Sequence, residues 1–347
     1  MPHPLRVAIV GLGGVGRLHL MAYAEAQRVR VVAACDLDPA AAALCPPEIS
    51  FHPDAAAMLA AERPEIVVVA TPPASHAALV ELAAGAGAHV LCEKPLAVSL
   101  ADIARMRTAC AAAGVQLAYG ASYRFLPAIR RARQLIAAGA IGEVMLMREA
   151  EIGGAGPAAR VVLGPQHYPP GGPGGSPMGL VDHGVHLIDI LPWLAGSPVA
   201  SAVGRGNVSG QPPGPEHLTL TLASGAVGLL AYDEGTWSTA LPAEGGFSLG
   251  GGWGPGGYVP GGGWNPAPGA IHVHGAAGAL RIHHYAHALY LTDAAGVRQI
   301  PLDGRPAPHH FADQIDAFAE ALAAGRAPDA GLDDGEQALR VLLAAYR

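Results

Sequence analysis

The segment Leu5-Arg-Val-Ala-Ile-Val10 runs directly into Gly11-Leu-Gly-Gly-Val-Gly16 and then into a stretch with apolar residues at helical spacing. A short apolar strand feeding Gly-x-Gly-x-x-Gly and a helix opens a dinucleotide-binding unit. Gly11 permits the tight turn, Gly13 lets the backbone approach a pyrophosphate, and Gly16 lets helix and strand pack closely. The first helical residues, Gly14 and Val15 among them, offer free N–H groups and the positive end of the helix dipole to phosphates. In a chain with 47 glycines the pattern alone is weak. Asp36 strengthens it, standing twenty residues beyond Gly16 at the end of the next apolar run. A carboxylate there accepts ribose hydroxyls and repels a 2′-phosphate, and Leu37 rather than an arginine follows it. NAD is therefore expected over NADP.

The alternation continues for about 120 residues. Apolar strands read at VRVVAAC, EIVVVA, AHVLC and VQLAYG, separated by an Ala-rich helix, SHAALVELAAGAG and a helix from Ser99 to Ala113. Continuous apolar strands alternating with helices predict a parallel sheet covered on both faces, a Rossmann domain over residues 1–121. From Ser122 the rhythm changes. A helix at FLPAIRRARQLIAAG leads to a strand at IGEVMLMREAEI, and short, partly alternating strands follow at SAVGRGNVSG, HLTLTLA, AVGLLAYDEG, AIHVHGA and ALRIHH. This predicts an α/β domain over 122–347 with a large, mostly antiparallel open sheet, its last helices (311–347) packing back. Two Gly/Pro-rich stretches, 164–179 and 245–269, read as long loops over a cleft. The second carries Trp253, Tyr258 and Trp264.

Composition narrows the function. At 347 residues, 51% of them apolar, the chain can bury two cores. A net charge of −7 without a basic stripe argues against nucleic acid and anionic membrane as partners. No apolar stretch reaches membrane-spanning length, and the N-terminus lacks the pattern of a secretory signal, so a cytoplasmic protein is expected. Cys35, Cys45, Cys92 and Cys110 show no CxxC spacing and read as reduced, mostly buried thiols. The basic residues are twenty arginines and one lysine, Lys94. A position that stays lysine under such a bias needs an ammonium of tunable pKa, which a guanidinium cannot supply.

Lys94 lies in Cys92-Glu-Lys-Pro95, at the strand end where such sheets place ligands. Further on, Asp182-His-Gly-Val-His186-Leu-Ile-Asp189 reads into a helix, with Asp182 and His186 at i and i+4 on one face. A carboxylate at that spacing orients an imidazole and stabilises its protonated form, as a general base near neutral pH needs. Such pairs also serve as surface ion pairs or helix caps, and Asp182, His186 and Asp189 are a weaker metal-ligand set. The histidines at 272, 274, 283, 284 and 287 lack a metal-ligand spacing and read as scattered surface imidazoles.

GLGGVG with Asp36, ATPPASH at 70–76, CEKP, YRFLPAIRRARQLI, IGEV and DHGVHLID together resemble the Gfo/Idh/MocA oxidoreductases. The likeness runs in order across nearly the whole chain and is weakest in the Gly-rich stretches. It implies a Rossmann domain joined to an open-sheet domain that commonly forms the oligomer surface, hence a homodimer or homotetramer. It places a catalytic set on Lys94, Asp182 and His186. Thr71, Pro72 and His76 match a cofactor-side loop, and Glu93 matches the motif that sets the lysine beside the cofactor. Arg124, Arg160, His167, Tyr168 and His183 are candidates to hold substrate. The chemistry implied is reversible oxidation of a secondary alcohol on a sugar, cyclitol or related polyol, without metal. The alternatives are a redox-neutral reaction that recycles NAD (glycoside cleavage or epimerisation) and an NAD-binding regulator without turnover.

Overall fold

The computed structural model describes residues 3–154, 179–208, 212, 214–237, 246–248, 251–254, 257–260, 263–265 and 270–347. These fall into two compact units. The first comprises residues up to 122 and 308–339; the second comprises the described residues from 123 to 307 and 340–347.

The first unit is a six-stranded parallel sheet: β1 (Leu5–Val10), β2 (Val29–Cys35), β3 (Ser50–His52), β4 (Ile66–Val69), β5 (His89–Cys92) and β6 (Leu117–Tyr119), in the order β3-β2-β1-β4-β5-β6. Its central strands are apolar on both faces because both are covered. Ile66, Val68 and Val69 of β4 and Val7, Ala8 and Ile9 of β1 are fully buried. The helices are α1 (Gly14–Tyr23), α2 (Ala55–Glu62), α3 (His76–Gly85) and α4 (Leu100–Ala113). Ser99 caps α4, its hydroxyl oxygen accepting from the Asp102 N–H at 3.1 Å, and Gly114 ends it in the left-handed region at φ 67°. The expected Ala-rich helix between β2 and β4 is α2, and ahead of it the chain adds a 3-10 helix at Pro39–Leu44 and β3.

The second unit begins with α5 (Pro127–Ala137) and β7 (Val144–Gly154), followed by α6 (Val185–Ala195), β8 (Val199–Arg205), β9 (Glu216–Leu222) and β10 (Val227–Trp237). Short strands β11 (Gly246–Ser248), β12 (Gly251–Gly254), β13 (Gly257–Pro260) and β14 (Gly263–Asn265) pair β11 with β14 and β12 with β13. The stretch expected as one long loop thus contains nested antiparallel pairs; the side chains of Trp253 and Trp264 lie outside the described residues. Then come β15 (Ile271–Gly275), β16 (Ala279–His283), β17 (Ala288–Asp293) and β18 (Gly296–Gln299). The main sheet has the order β18-β17-β16-β15-β7-β10-β9-β8 and is antiparallel except where β10 runs parallel to β7. The β17–β18 hairpin is an addition to the strands legible in the sequence.

One face of this sheet is buried and the other is open, as the buried–exposed alternation of β9 shows. The pairing registers place Val203, Thr219, Leu229, Arg148, His272, Arg281, Tyr290 and Gln299 in one row across all eight strands of the open face.

Helices α7 (His310–Ala323) and α8 (Leu332–Ala345) close the chain. The residues of α7 belong to the first unit, where Phe311 meets the His19 ring edge-on at 4.6 Å and the Asp316 carboxylate accepts from the N–H groups of Gln27 and Arg28. Cys35, Cys92 and Cys110 are buried and Cys45 is half-buried, all as free thiols. Among the described residues no helix is long and apolar enough to cross a membrane.

His310, the first residue of α7, is 4% exposed and its Nδ1 has no hydrogen-bond partner among the described residues. Burial first, then the neighbouring His19 and His309, push its pKa down to about 3. This imidazole stays neutral in the native protein and takes up a proton on unfolding. Its contribution to stability is complete above the unfolded value and is lost as pH falls toward the folded one. For an unfolded pKa of about 6.5, the loss between about pH 8 and about pH 5 is roughly 2 kcal/mol. Denaturation midpoints of His310→Leu should therefore fall less over that interval than those of the parent protein; an equal fall in both contradicts the assignment.

Candidate active site

In the first unit, the C-terminal ends of β1, β2, β4 and β5 bring the cofactor candidates to one edge of the sheet, the edge where open parallel sheets bind ligands. Gly11 has φ +95°, and a Cβ there would lie 2.6 Å from the Ala70 carbonyl oxygen. A Cβ on Gly16 would sit 1.9 Å from the Gly11 carbonyl oxygen. Neither position tolerates a side chain without the turn moving. Gly13 and Gly14 are different: among the described residues a Cβ on either meets nothing within 4 Å, and the first turn of α1 has no side-chain cap. The glycine turn therefore presents open space in front of N–H groups at a helix start, which suits a pyrophosphate.

Asp36 is half-buried and closes this loop from below. One carboxylate oxygen accepts from the Leu12 N–H at 2.7 Å and the other from the Asp38 N–H at 2.9 Å. Thr71 and Pro72 follow β4. The Ser75 hydroxyl donates to the Pro72 carbonyl at 2.8 Å, so in the 2.7 Å contact with Ser75 the Thr71 hydroxyl is the donor. His76 is fully buried beneath the loop, its Nε2 2.7 Å from the Thr71 carbonyl oxygen and its Nδ1 3.2 Å from that of Leu96. Burial lowers its pKa, which keeps it neutral. In place of the cofactor contact expected of it, His76 props the loop that carries Thr71.

Glu93 is likewise turned inward, 3% exposed. Its Oε1 pairs with His19 Nε2 at 2.8 Å, and its Oε2 accepts from the Lys94 N–H at 3.1 Å. The carboxylate thus fixes the backbone of the one lysine, whose side chain is half-buried and whose peptide bond to Pro95 is cis.

In the second unit, Asp182 and His186 occupy a helix start that is not plain α. Leu180–Gly184 forms a π-helical turn, with the N–H groups of His183 and Gly184 both directed at the Gly179 carbonyl (3.0 and 2.9 Å), and α6 follows. Such widened turns occur often at functional sites. Glu216 anchors the turn by accepting from the N–H of Leu180 at 2.8 Å, while also accepting from Asn207 N–H and the Tyr346 hydroxyl. Burial raises the pKa of Glu216, and these donors offset that only in part. Asp182 and His186 are half-buried, and the His186 ring stacks on Tyr123 at 3.8 Å with the planes 5° apart.

Two expected substrate contacts turn out to be internal. Arg124, 5% exposed, grips Asp189 through Nε and Nη2 at 2.8 and 2.6 Å and lies over the Trp193 ring. It is committed to a buried bidentate pair, which also removes Asp189 from the metal set with Asp182 and His186. His183, 4% exposed, puts Nε2 on Glu149 at 2.9 Å. Arg160, His167 and Tyr168 lie outside the described residues.

Glu149 itself, with Tyr123, Tyr232 and His284, escapes the sequence reading. Its burial pushes the pKa up, but His183, His284 and the Tyr232 hydroxyl bring it below the ordinary value. His284 is 3% exposed, contrary to its reading as a surface imidazole, because it sits in the turn after β16 rather than on the open face. Burial lowers its pKa to about 4, offset only in part by Glu149 and the Ile282 backbone.

Comparison with known proteins bears on both units. Residues 5–121 match the oxidoreductase family with an NAD-binding Rossmann fold, and residues 129–251 match the GFO/IDH/MocA C-terminal domain. The first unit is thus an NAD-binding Rossmann domain. The D-apiose dehydrogenase of Paraburkholderia graminis is 41% identical over 39% of this chain and 37% of that enzyme, so the match spans well under two thirds of its length. The inositol 2-dehydrogenase 2 of Paenarthrobacter aurescens is 29% identical over 96% of this chain and 92% of its own. Among solved structures, the aldose-aldose oxidoreductase of Caulobacter crescentus shares the fold, with a TM-score of 0.76 at 22% identity over 99% of this chain and 98% of that one.

Replacing Asp36 with Asn keeps an acceptor for the Leu12 N–H and removes the charge. The ratio of NADP to NAD affinity, measured by titration, should rise about tenfold, equivalent to about 1.4 kcal/mol. An unchanged ratio shows that Asp36 does not face the ribose.

Proposed function

The chain belongs to the GFO/IDH/MocA oxidoreductase family, and from that premise we propose that it transfers hydride reversibly between NAD and a secondary alcohol of a sugar, cyclitol or related polyol. The observation that carries the reading is the half-buried Asp182–His186 pair at the widened start of α6, in a chain whose other unit binds NAD. The names of the D-apiose and inositol dehydrogenases support the substrate class.

When bound, NAD supplies the hydride acceptor, the C4 carbon of its nicotinamide. The chain's own residues do the rest. Backbone N–H groups along Gly11, Gly13, Gly14, Val15 and Gly16 hold the pyrophosphate, Asp36 receives the ribose hydroxyls and Thr71 and Pro72 flank the cofactor. His186 takes the proton of the substrate hydroxyl, which leaves the carbon's hydrogen free to depart with its electron pair. Asp182 orients the imidazole and offsets the positive charge it gains. Lys94 donates a hydrogen bond to the substrate oxygen and stabilises the negative charge that builds there. Glu93 and His76 position this set without touching substrate. Arg160, His167 and Tyr168 stay as candidates to hold the polyol, while Arg124 and His183 do not. The open sheet face, with Val203 73% and Leu229 38% exposed, supports assembly as a homodimer or homotetramer.

His186→Ala tests the assignment. NAD affinity should stay within about twofold while turnover falls roughly 10²–10⁴-fold, the usual contribution of a general base. Full turnover in that variant would sink the proposal, as would loss of NAD binding in step with loss of turnover.

A further inference from the structure

Three side chains that hydride transfer leaves unused meet inside the second unit. Glu149 enters from β7, His183 from the π-helical turn and His284 from the turn after β16, and each is at most 4% exposed. One donor atom from each lies within 4.8 Å of the others. The hydrogen bonding among them is incomplete. His183 Nε2 and the Tyr232 hydroxyl both converge on Glu149 Oε2, at 2.9 Å each. Among the described residues, Glu149 Oε1 has no hydrogen-bond partner and the His284 ring has at most a weak contact with the Ile282 backbone. A buried polar atom left unpaired costs roughly 1–3 kcal/mol. A carboxylate oxygen left unpaired within reach of a poorly partnered imidazole, both buried, marks a place built for something more.

The geometry points to a divalent metal ion of the zinc class held by Glu149, His183 and His284. Two imidazoles and a carboxylate form a donor set for Zn²⁺ and its first-row neighbours; Mg²⁺ and Ca²⁺ prefer oxygen throughout. A cation there gives a partner to Glu149 Oε1 and to a His284 nitrogen at once. Zinc–ligand distances of about 2.0–2.2 Å require the three donors, which lie within 4.8 Å of one another, to draw together on binding. The surroundings supply the outer support that ligating groups need. Tyr232 donates to the carboxylate, and the Tyr123 hydroxyl lies 3.4 Å from His183 Nδ1, where it fixes which ring nitrogen is free to ligate.

The role is structural. All three ligands are buried, and they come from a strand, a turn between strands and the turn that begins α6. The ion would pin these together and hold Tyr123, the ring on which His186 stacks. This inference does not depend on the hydride-transfer reading, and its readout is metal content and ligation rather than turnover.

Protein expressed with added zinc should carry about one zinc per chain by elemental analysis, held by the three buried ligands with water in the fourth position. Chelator-treated protein titrated with Co²⁺ should develop the visible absorption of a low-symmetry site. Both signals should be lost in His284→Gln and Glu149→Gln, and both should survive in the double variant His272→Ala/His274→Ala, which removes the stacked pair on the open face. Wild-type protein that takes up neither zinc nor cobalt overturns the proposal. So does uptake that persists in both site variants, or that disappears with His272 and His274. If a site variant fails to fold, X-ray absorption of the zinc-loaded wild type decides: scattering from two imidazoles and a carboxylate supports the site, and any shell without two imidazoles overturns it.

Discussion

The turn between β1 and α1 has no room for a side chain, and much of the first unit is arranged around that fact. With a Gly16 Cβ placed 1.9 Å from the Gly11 carbonyl oxygen, any other residue would push the helix off the strand. Because the helix does come this close, its first N–H groups face open space at the sheet edge, and Asp36 can reach across to bond the Leu12 N–H. The same edge receives Thr71 from the end of β4 and Lys94 from the end of β5, each held by a buried neighbour, His76 and Glu93. Tight packing at one point thus sets the backbone of a whole row of ligand-facing groups.

The second unit reaches its chemistry by a different route. Its sheet is wet on one face, and the functional candidates stand on a widened helix start that Glu216 anchors. Asp182 and His186 are half-buried there, with the imidazole stacked on Tyr123. An imidazole so placed is shielded enough to be held in one orientation and exposed enough to exchange a proton, which is what a general base requires.

Legibility in the sequence followed distance along the chain. The glycine motif, Asp36 at the end of β2 and the strands β1, β2, β4, β5 and β6 are local patterns that appear where expected, while β3 is an addition and Asp182 sits in a π-helical turn ahead of α6. The partners of buried polar residues are not local. Arg124 meets an aspartate 65 residues away and His183 a glutamate 34 residues back, and neither pairing leaves a mark on periodicity. Polar residues beside a catalytic motif therefore read as substrate contacts when they are in fact held inside. His284, one residue past the end of β16, keeps the phase of the buried Leu280 and Ile282, a register that the reading of scattered surface imidazoles did not use. The nested pairs of β11 to β14 were masked by glycine and proline content that resembles a loop.

The account rests on hydride passing directly between a polyol carbon and the cofactor of the first unit. Mixing the NAD-loaded protein with a cyclitol and with sugars deuterated at their carbinol carbons, then recovering the nicotinamide, tests that most directly. Deuterium at C4 of the reduced ring, with slower reduction than for the protiated compound, is the predicted result. Bound NAD that stays oxidised with every such compound, or reduced cofactor carrying only protium, would contradict it.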